Sequence, residues 1–225
     1  MMKKILTLNI AFLFVALFTY AQQTDEDVDV KDPKAKAILD QLSAKSKSYS
    51  SVVAAFSYNL KNSSAGIDET QKGKLMLKGQ KYNLKIAGQE IISDGKKVYT
   101  YIPDVNEVQV NWVENDEEES MFNPATLFTL YEKGFKYKHT GKSTKNGASV
   151  DVIKLYPENA NDKPYHTVIL YINTAKMQFE AIEIKGKDGN TYTYSIDSFK
   201  TNETLSDSNF TFDVSKADDV IDFTE

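Results

Sequence analysis

Two histidines, His139 and His166, are the side chains of this 225-residue chain best suited by type to moving protons near neutral pH. Both fall inside runs that alternate as strands do, Phe135 to His139 and Tyr165 to Ile172. A lone strand histidine more often braces a sheet than serves as a base. His139 follows Lys136 and Lys138 and is expected to face water; His166, beside Tyr165, is free to face either way. Cysteine is absent, which removes disulfides, thiolate metal ligands and the cysteine of a bacterial lipid anchor. Two histidines so placed argue against zinc. The acids Asp25, Glu26, Asp27 and Asp29 lack the turn glycine and distal glutamate of a calcium loop. No Gly-rich phosphate loop, serine elbow or metalloprotease helix motif occurs. Paired carboxylates of the glycosidase kind could arise only in space, which ranks a hydrolase last. The residues point to a non-enzyme that needs neither metal nor cofactor.

The aromatic residues say more. The 12 phenylalanines and 13 tyrosines fall mostly at alternating strand positions or on a short helix. Tyrosine suits a site with one greasy end and one wet end, such as the mouth of a cavity. An ordinary packed core is the plainer reading of the same composition.

The elements that must position these rings follow from periodicity. Asp32-Pro33 makes a cap with proline at the first helical position, and Ala35, Ile38, Leu39 and Leu42 share one face, so a helix is predicted over about 33–48. Val52 to Leu60 turns to strand character. Between Gly73 and Trp112 four short amphipathic strands alternate: Leu75 and Leu77; Tyr82, Leu84 and Ile86; the denser run Val98 to Ile102; and Val108, Val110 and Trp112. Gly79, Ala87-Gly88, Asp94-Gly95 and Pro103-Asp104 mark the turns. After the acids Glu114 and Asp116 to Glu119, read as a solvated loop, Asn123-Pro124 starts a second short helix with Leu127, Phe128, Leu130 and Tyr131, stopped by Gly134. Strands resume to Phe210–Phe212, with hairpin signals at Asn146-Gly147 and Asp188-Gly189-Asn190. The total is ten or eleven strands and two helices.

Bulk properties set the compartment. Lys3 and Lys4 precede an apolar run from Ile5 to Tyr20, and Thr19-Tyr20-Ala21 suits a signal peptidase, so residues 1–21 are expected to be a cleaved leader. Residues 22–31 read as a disordered lead-in and 32–225 as one domain. Losing the leader removes two lysines and no acids, moving the formal net charge from −5 to −7. An acidic surface does not suit nucleic acid or an anionic membrane. Every basic residue is lysine, so the fork-shaped donor of carboxylate and phosphate recognition is missing.

Four stretches then carry a resemblance. Ile91 to Pro103, reading Ile91-Ile92-Ser93-Asp94-Gly95-Lys96-Lys97-Val98-Tyr99-Thr100-Tyr101-Ile102-Pro103, resembles the strand–turn–strand hallmark of the periplasmic lipoprotein carriers, the LolA-like family. Ala54 to Tyr58 resembles the family's first strand, Gly73 to Lys78 its second and Asn209 to Asp213 its closing strand. The resemblance implies a mainly β protein with two or more short helices: a half-open, curved antiparallel β-barrel covered by a helical lid. It implies a soluble periplasmic monomer that shelters the acyl chains of lipoproteins. An inner-membrane transporter would release its cargo and an outer-membrane acceptor would receive it. One departure stands out: Lys78-Gly79-Gln80-Lys81-Tyr82 occupies the neighbourhood where an arginine of the well-known branch helps hold the lid. Lysine donates as a point charge, so that latch is not carried over.

On this reading the sheet lining comprises Phe56, Tyr58, Leu75, Leu77 and Tyr82, continued by Leu84, Ile86, Tyr99, Tyr101 and Trp112. The inward parity of Val98 to Ile102 is ambiguous from sequence. Ile38 and Leu42 from the first helix, with Leu127, Phe128 and Tyr131 from the second, would face the lining. Burying acyl methylenes at about 0.8 kcal/mol each gives a chain of some fourteen carbons on the order of 10 kcal/mol gross. The rivals are an envelope-stress or lipid-sensing domain of the same fold, and a packed partner-binding β domain without a cavity.

Overall fold

The structure, a computed structural model, describes residues 31–113, 130–132 and 134–224. The expected leader, the lead-in to residue 30, the acidic run after Val113 and the body of the expected second helix lie outside the described residues. Helix α1 (Pro33–Lys47) opens as its sequence predicts: Asp32 Oδ1 accepts from the backbone N–H groups of Lys34 and Ala35, and Pro33 fills the first turn. Ala35, Leu39 and Leu42 are buried along one stripe, and Lys45 and Lys47 sit at the negative end of the helix dipole.

Among the described residues, twelve strands follow in one sheet. They are β1 (Val52–Asn62), β2 (Ile67–Lys78), β3 (Lys81–Ile86), β4 (Gln89–Ser93), β5 (Lys97–Ile102) and β6 (Glu107–Trp112), then β7 (Phe135–Lys145), β8 (Ala148–Pro157), β9 (Tyr165–Asn173), β10 (Gln178–Gly186), β11 (Thr191–Thr201) and β12 (Asp219–Asp222). Spatial order runs β12-β6-β5-β4-β3-β2-β1-β11-β10-β9-β8-β7. Two antiparallel meanders are thus joined at a β1–β11 seam, and only β12 runs parallel to its neighbour. Register shifts at Ala55/Phe56, Phe179/Ala181 and His139/Gly141 mark bulges, which bend a sheet and deepen its twist. Strands β7 and β12 do not pair, so the sheet is open and curved rather than closed. The β7 edge is partly covered where Lys31 bridges to Tyr137.

Two hairpins show why these registers hold. Ala87 and Gly88 both take positive φ, 54° and 74°, the two-residue turn that matches strand twist. Asn146-Gly147 does the same at 50° and 76°, as its sequence predicts.

Among the described residues there is one α-helix, and of the expected second helical region only a 3₁₀ turn, Leu130–Glu132, is described. One expectation is corrected. The expected closing strand at Phe210–Phe212 is not a strand. Residues Asp207–Phe210 form a 3₁₀ turn, the last strand is β12, and between them Asp213 turns the chain by accepting from Ser215. Short polar side chains that bond their own backbone compete with strand pairing in this way.

Candidate functional site

Helix α1 lies on one face of the sheet, its inner face. The buried stripe of the helix packs with Tyr137 of β7, Ile153 and Leu155 of β8, Val168 and Leu170 of β9, and Ile182 and Ile184 of β10, with Tyr192, Tyr194 and Ile196 of β11 alongside. Pairing carries the same face across the seam. Tyr194 opposes Tyr58, Ile196 opposes Phe56 and Phe199 opposes Ala54. Val52 then opposes Leu77, Leu77 opposes Tyr82, and Leu84 opposes Ile91. A second cluster (Val52, Ala54, Leu77 and Tyr82, with Leu75, Leu84 and Ile91 partly buried) occupies this half. The core that holds α1 stops at β11, so among the described residues no helix packs on the β2–β5 half. The result is a greasy surface, filled under α1 and half-open beyond it.

The outer face is different. Across β3–β6 it is covered by the segment after β11. Phe210 is fully buried, Phe212 sits 5.0 Å from the Tyr101 ring and 6.3 Å from the Tyr99 ring, and Asn83 Nδ2 donates to the Asn209 carbonyl at 3.0 Å. Lys78 and Lys81, near the expected latch, do not touch α1; both pair with Asp207 of this cover, at 3.1 and 3.5 Å.

The predicted lining therefore divides. Phe56, Leu77 and Tyr82 are buried on the inner face, and Tyr58, Leu75, Leu84 and Ile86 lie on it partly buried. Tyr99, Tyr101 and Trp112 do not belong there. The Ala87-Gly88 turn sets Leu84 against Ile91, and the next turn sets Ile91 against Thr100, so Val98, Thr100 and Ile102 point inward. Tyr99, Tyr101 and Trp112 share the outer face with Val110, Val108 and Lys97, and Trp112 is 55% exposed with Lys97 Nζ 5.0 Å from its ring centroid. Counting through the two turns from Leu84 is the signal that settles this parity. Sequence reading also misses Ile91 and the β11 rings: Tyr194 lies 5.1 Å from Tyr58 and 6.0 Å from Phe56. Burial, with the neighbouring phenols of Tyr58 and Tyr192, pushes the Tyr194 hydroxyl well above its usual range, so the surface carries no phenolate at neutral pH.

Of the residues expected in a lid, Ile38 and Leu42 belong to the β7–β11 core, a cluster that holds none of the predicted lining residues. Tyr131 is buried; its hydroxyl donates to Asp40 at 3.1 Å, while Ser43 and Lys47 reach Glu132 at 2.9 Å each. Leu127 and Phe128 lie outside the described residues.

At the far end of the inner face, β2 outruns the β3–β4 hairpin and leaves a groove of about 600 Å³. The Phe56 ring forms its floor and lies against Gly73; a Cβ at Gly73 would fall 2.3 Å from the ring. Ile86 and Pro103 add apolar wall, and Lys72, Lys74 and Lys85 stand around it.

His139 corrects another expectation. Its side chain is only 8% exposed, and Nε2 lies 2.8 Å from Asp151 Oδ1. Burial raises the Asp151 carboxyl, but hydrogen bonds from His139 and Thr174 overcome it and hold it below its ordinary value. No nucleophile stands beside this pair in the described hydrogen bonds, and its neighbours are strands β8 and β9 and the Asp32 cap. It braces the sheet. Among the described residues no three potential ligands converge for a metal.

An open curved antiparallel sheet with one helix on its greasy face defines the class. The family model described as outer membrane lipoprotein carrier protein LolA matches residues 47–213, and the chain belongs to that family. An outer-membrane lipoprotein carrier protein of Haemophilus influenzae is 32% identical over 133 residues, which are 59% of this chain and 60% of that protein. The chain thus matches 60% of the length of this curated relative. Among solved structures, an uncharacterized conserved protein from Thermus thermophilus aligns over 84% of this chain and 99% of its own, with TM-score 0.57 at 10% identity, which shows the fold alone. LprF from Mycobacterium bovis aligns over 78% and 96% at 14% identity, but its TM-score of 0.46 carries no argument.

Proposed function

We propose that the protein is a non-enzymatic carrier that shelters lipoprotein acyl chains on the inner face of its sheet and delivers them toward the outer membrane. It works in the periplasm as a monomer, as a single domain over 32–225 once the leader 1–21 is removed. An inner-membrane transporter supplies the cargo and an outer-membrane acceptor takes it. The observation that carries this reading is the contrast between faces: the outer face of β3–β6 is covered by the chain's own Phe210 segment, while Leu75, Leu84, Ile86 and Ile91 remain partly open opposite it. Half-open apolar side chains of this kind favour a partner that removes them from water. Membership of the carrier family supports the nature of that partner.

Mass spectrometry of protein isolated from its native envelope is expected to find acylated lipoprotein. A fluorescent fatty-acid probe is expected to bind and be displaced by that cargo. Leu84→Glu places a charge in the middle of the surface and is expected to abolish probe binding while the circular dichroism of the sheet is kept. Full binding by the folded variant would remove the β2–β5 surface from the site and favour a packed partner-binding domain.

A further inference from the structure

We propose that the groove beside the β3–β4 hairpin is a head-group slot that takes the anionic end of a single-chain amphiphile, a carboxylate or phosphate, while its tail lies on the inner face. The inference rests on the acyl-binding reading and goes beyond lipoprotein cargo, whose acyl chains are bonded to the protein and have no free anionic end, to a second class of ligand. Three observations carry it.

First, the groove joins both faces. Phe56 and Ile86 reach it from the inner face, whereas Lys72, Lys74 and Lys85 alternate with Gly73 and Ile86 and so reach it from the outer one. Gly73 lets the Phe56 ring lie at the floor of the groove, since any side chain there would meet that ring. Second, the polarity is graded. The inner end is ring and aliphatic carbon, and the outer end is ammonium. Third, the charge is opposite to that of the molecule. The whole chain is at −5, yet three lysines converge on this groove against two acids, Glu90 and Asp197. Lys72 is held by Asp197 at 2.8 Å and Lys85 by Glu90 at 3.1 Å. Lys74 has no ion-pair or hydrogen-bond partner among the described residues, which leaves one unpaired ammonium at the outer end of the groove. The volume, about 600 Å³, lies within the range of roughly 300–1,000 Å³ usual for small ligands. A neutral chain would gain nothing from Lys74; an anion gives that ammonium a partner.

The test measures binding of laurate, a lauroyl lysophosphatidate and methyl laurate to the full mature chain by calorimetry. Either anionic ligand is expected to bind about tenfold more tightly than the ester, the ratio one charge-assisted contact supports. A preference for laurate or for the lysophosphatidate identifies the head as carboxylate or phosphate. The triple change Lys72→Gln, Lys74→Gln, Lys85→Gln is expected to bring the anion-to-ester ratio to about one, with Lys74→Gln alone giving most of the loss. Lys138→Gln, on the far edge strand β7, controls for net charge and is expected to keep the ratio. Equal binding of anion and ester by the unaltered protein, or a ratio unmoved in the triple variant, overturns the slot and leaves the apolar carrier standing. Failure of all three ligands to bind overturns both.

Discussion

Gly73 is a lining residue defined by what it lacks. Its φ is ordinary for a strand, so its role is space rather than backbone freedom, and the Phe56 ring fills that space. Gly73→Ala is expected to cost about 1–3 kcal/mol by overpacking. Adding Phe56→Leu should recover part of it, and urea titration of the two single variants and the double one would show the coupling. At the other end of the inner face, Asp32 links two elements: one oxygen caps α1 and the other accepts from the His139 N–H of β7 at 3.0 Å. That N–H bond foremost, joined by those of Ala35 and Lys34, holds the Asp32 carboxyl below its ordinary 3.8. A depressed carboxyl adds stability that is present above 3.8 and lost as pH falls through the folded value. Asp32→Asn keeps a capping oxygen but no charge. It should be less stable than the parent at neutral pH, and the gap should close as pH falls below 3.8 through the lowered folded value. A gap of constant size would mean that geometry, not charge, does the work.

At the scale of elements, local chemistry was legible and face assignment only partly so. The α1 cap, the Asn146-Gly147 hairpin and the alternation of Tyr82, Leu84 and Ile86 could all be read from neighbouring residues, because each depends on contacts within a few positions. The orientation of β5 and β6 could not be read from the runs themselves. Strand β5 carries apolar side chains on both faces, Val98 and Ile102 toward the half-open surface and Tyr99 and Tyr101 toward Phe212. Strand β6 alternates cleanly but turns its apolar face to the cover, so only the turn lengths decide. The Phe210 segment misleads for a related reason. It has the composition of a strand but is diverted by Ser206 and Asp213, and its rings serve as a cover. The β3–β4 turn invites a direct test. Ala87 holds φ 54° with a side chain that disfavours it, so Ala87→Gly is expected to stabilise the protein by about 1 kcal/mol. A rise in the urea midpoint would confirm that this turn fixes the register that places Leu84 opposite Ile91.

The whole molecule keeps its greasy and charged surfaces apart. Its acidic balance of −5 opposes adhesion to an anionic membrane surface, which is consistent with the proposed carrier role. The inner face holds the apolar area, and the outer face carries the single tryptophan. Trp112, 55% exposed beneath Lys97, is therefore a built-in reporter of which face the cargo covers. The proposed tail site at Leu75, Leu84 and Ile91 lies on the opposite side of a sheet one residue thick. Trp112 emission is then expected to be that of a solvated indole in the empty protein, and to stay there, equally open to an added quencher, when a saturated fatty acid is bound. Energy transfer to a chain bearing a conjugated polyene should still occur, because the strands separate donor and acceptor by far less than transfer distances. Transfer without a blue shift places the tail on the inner face; a blue shift with loss of quencher access would place it against Trp112 and reverse the assignment of the two faces.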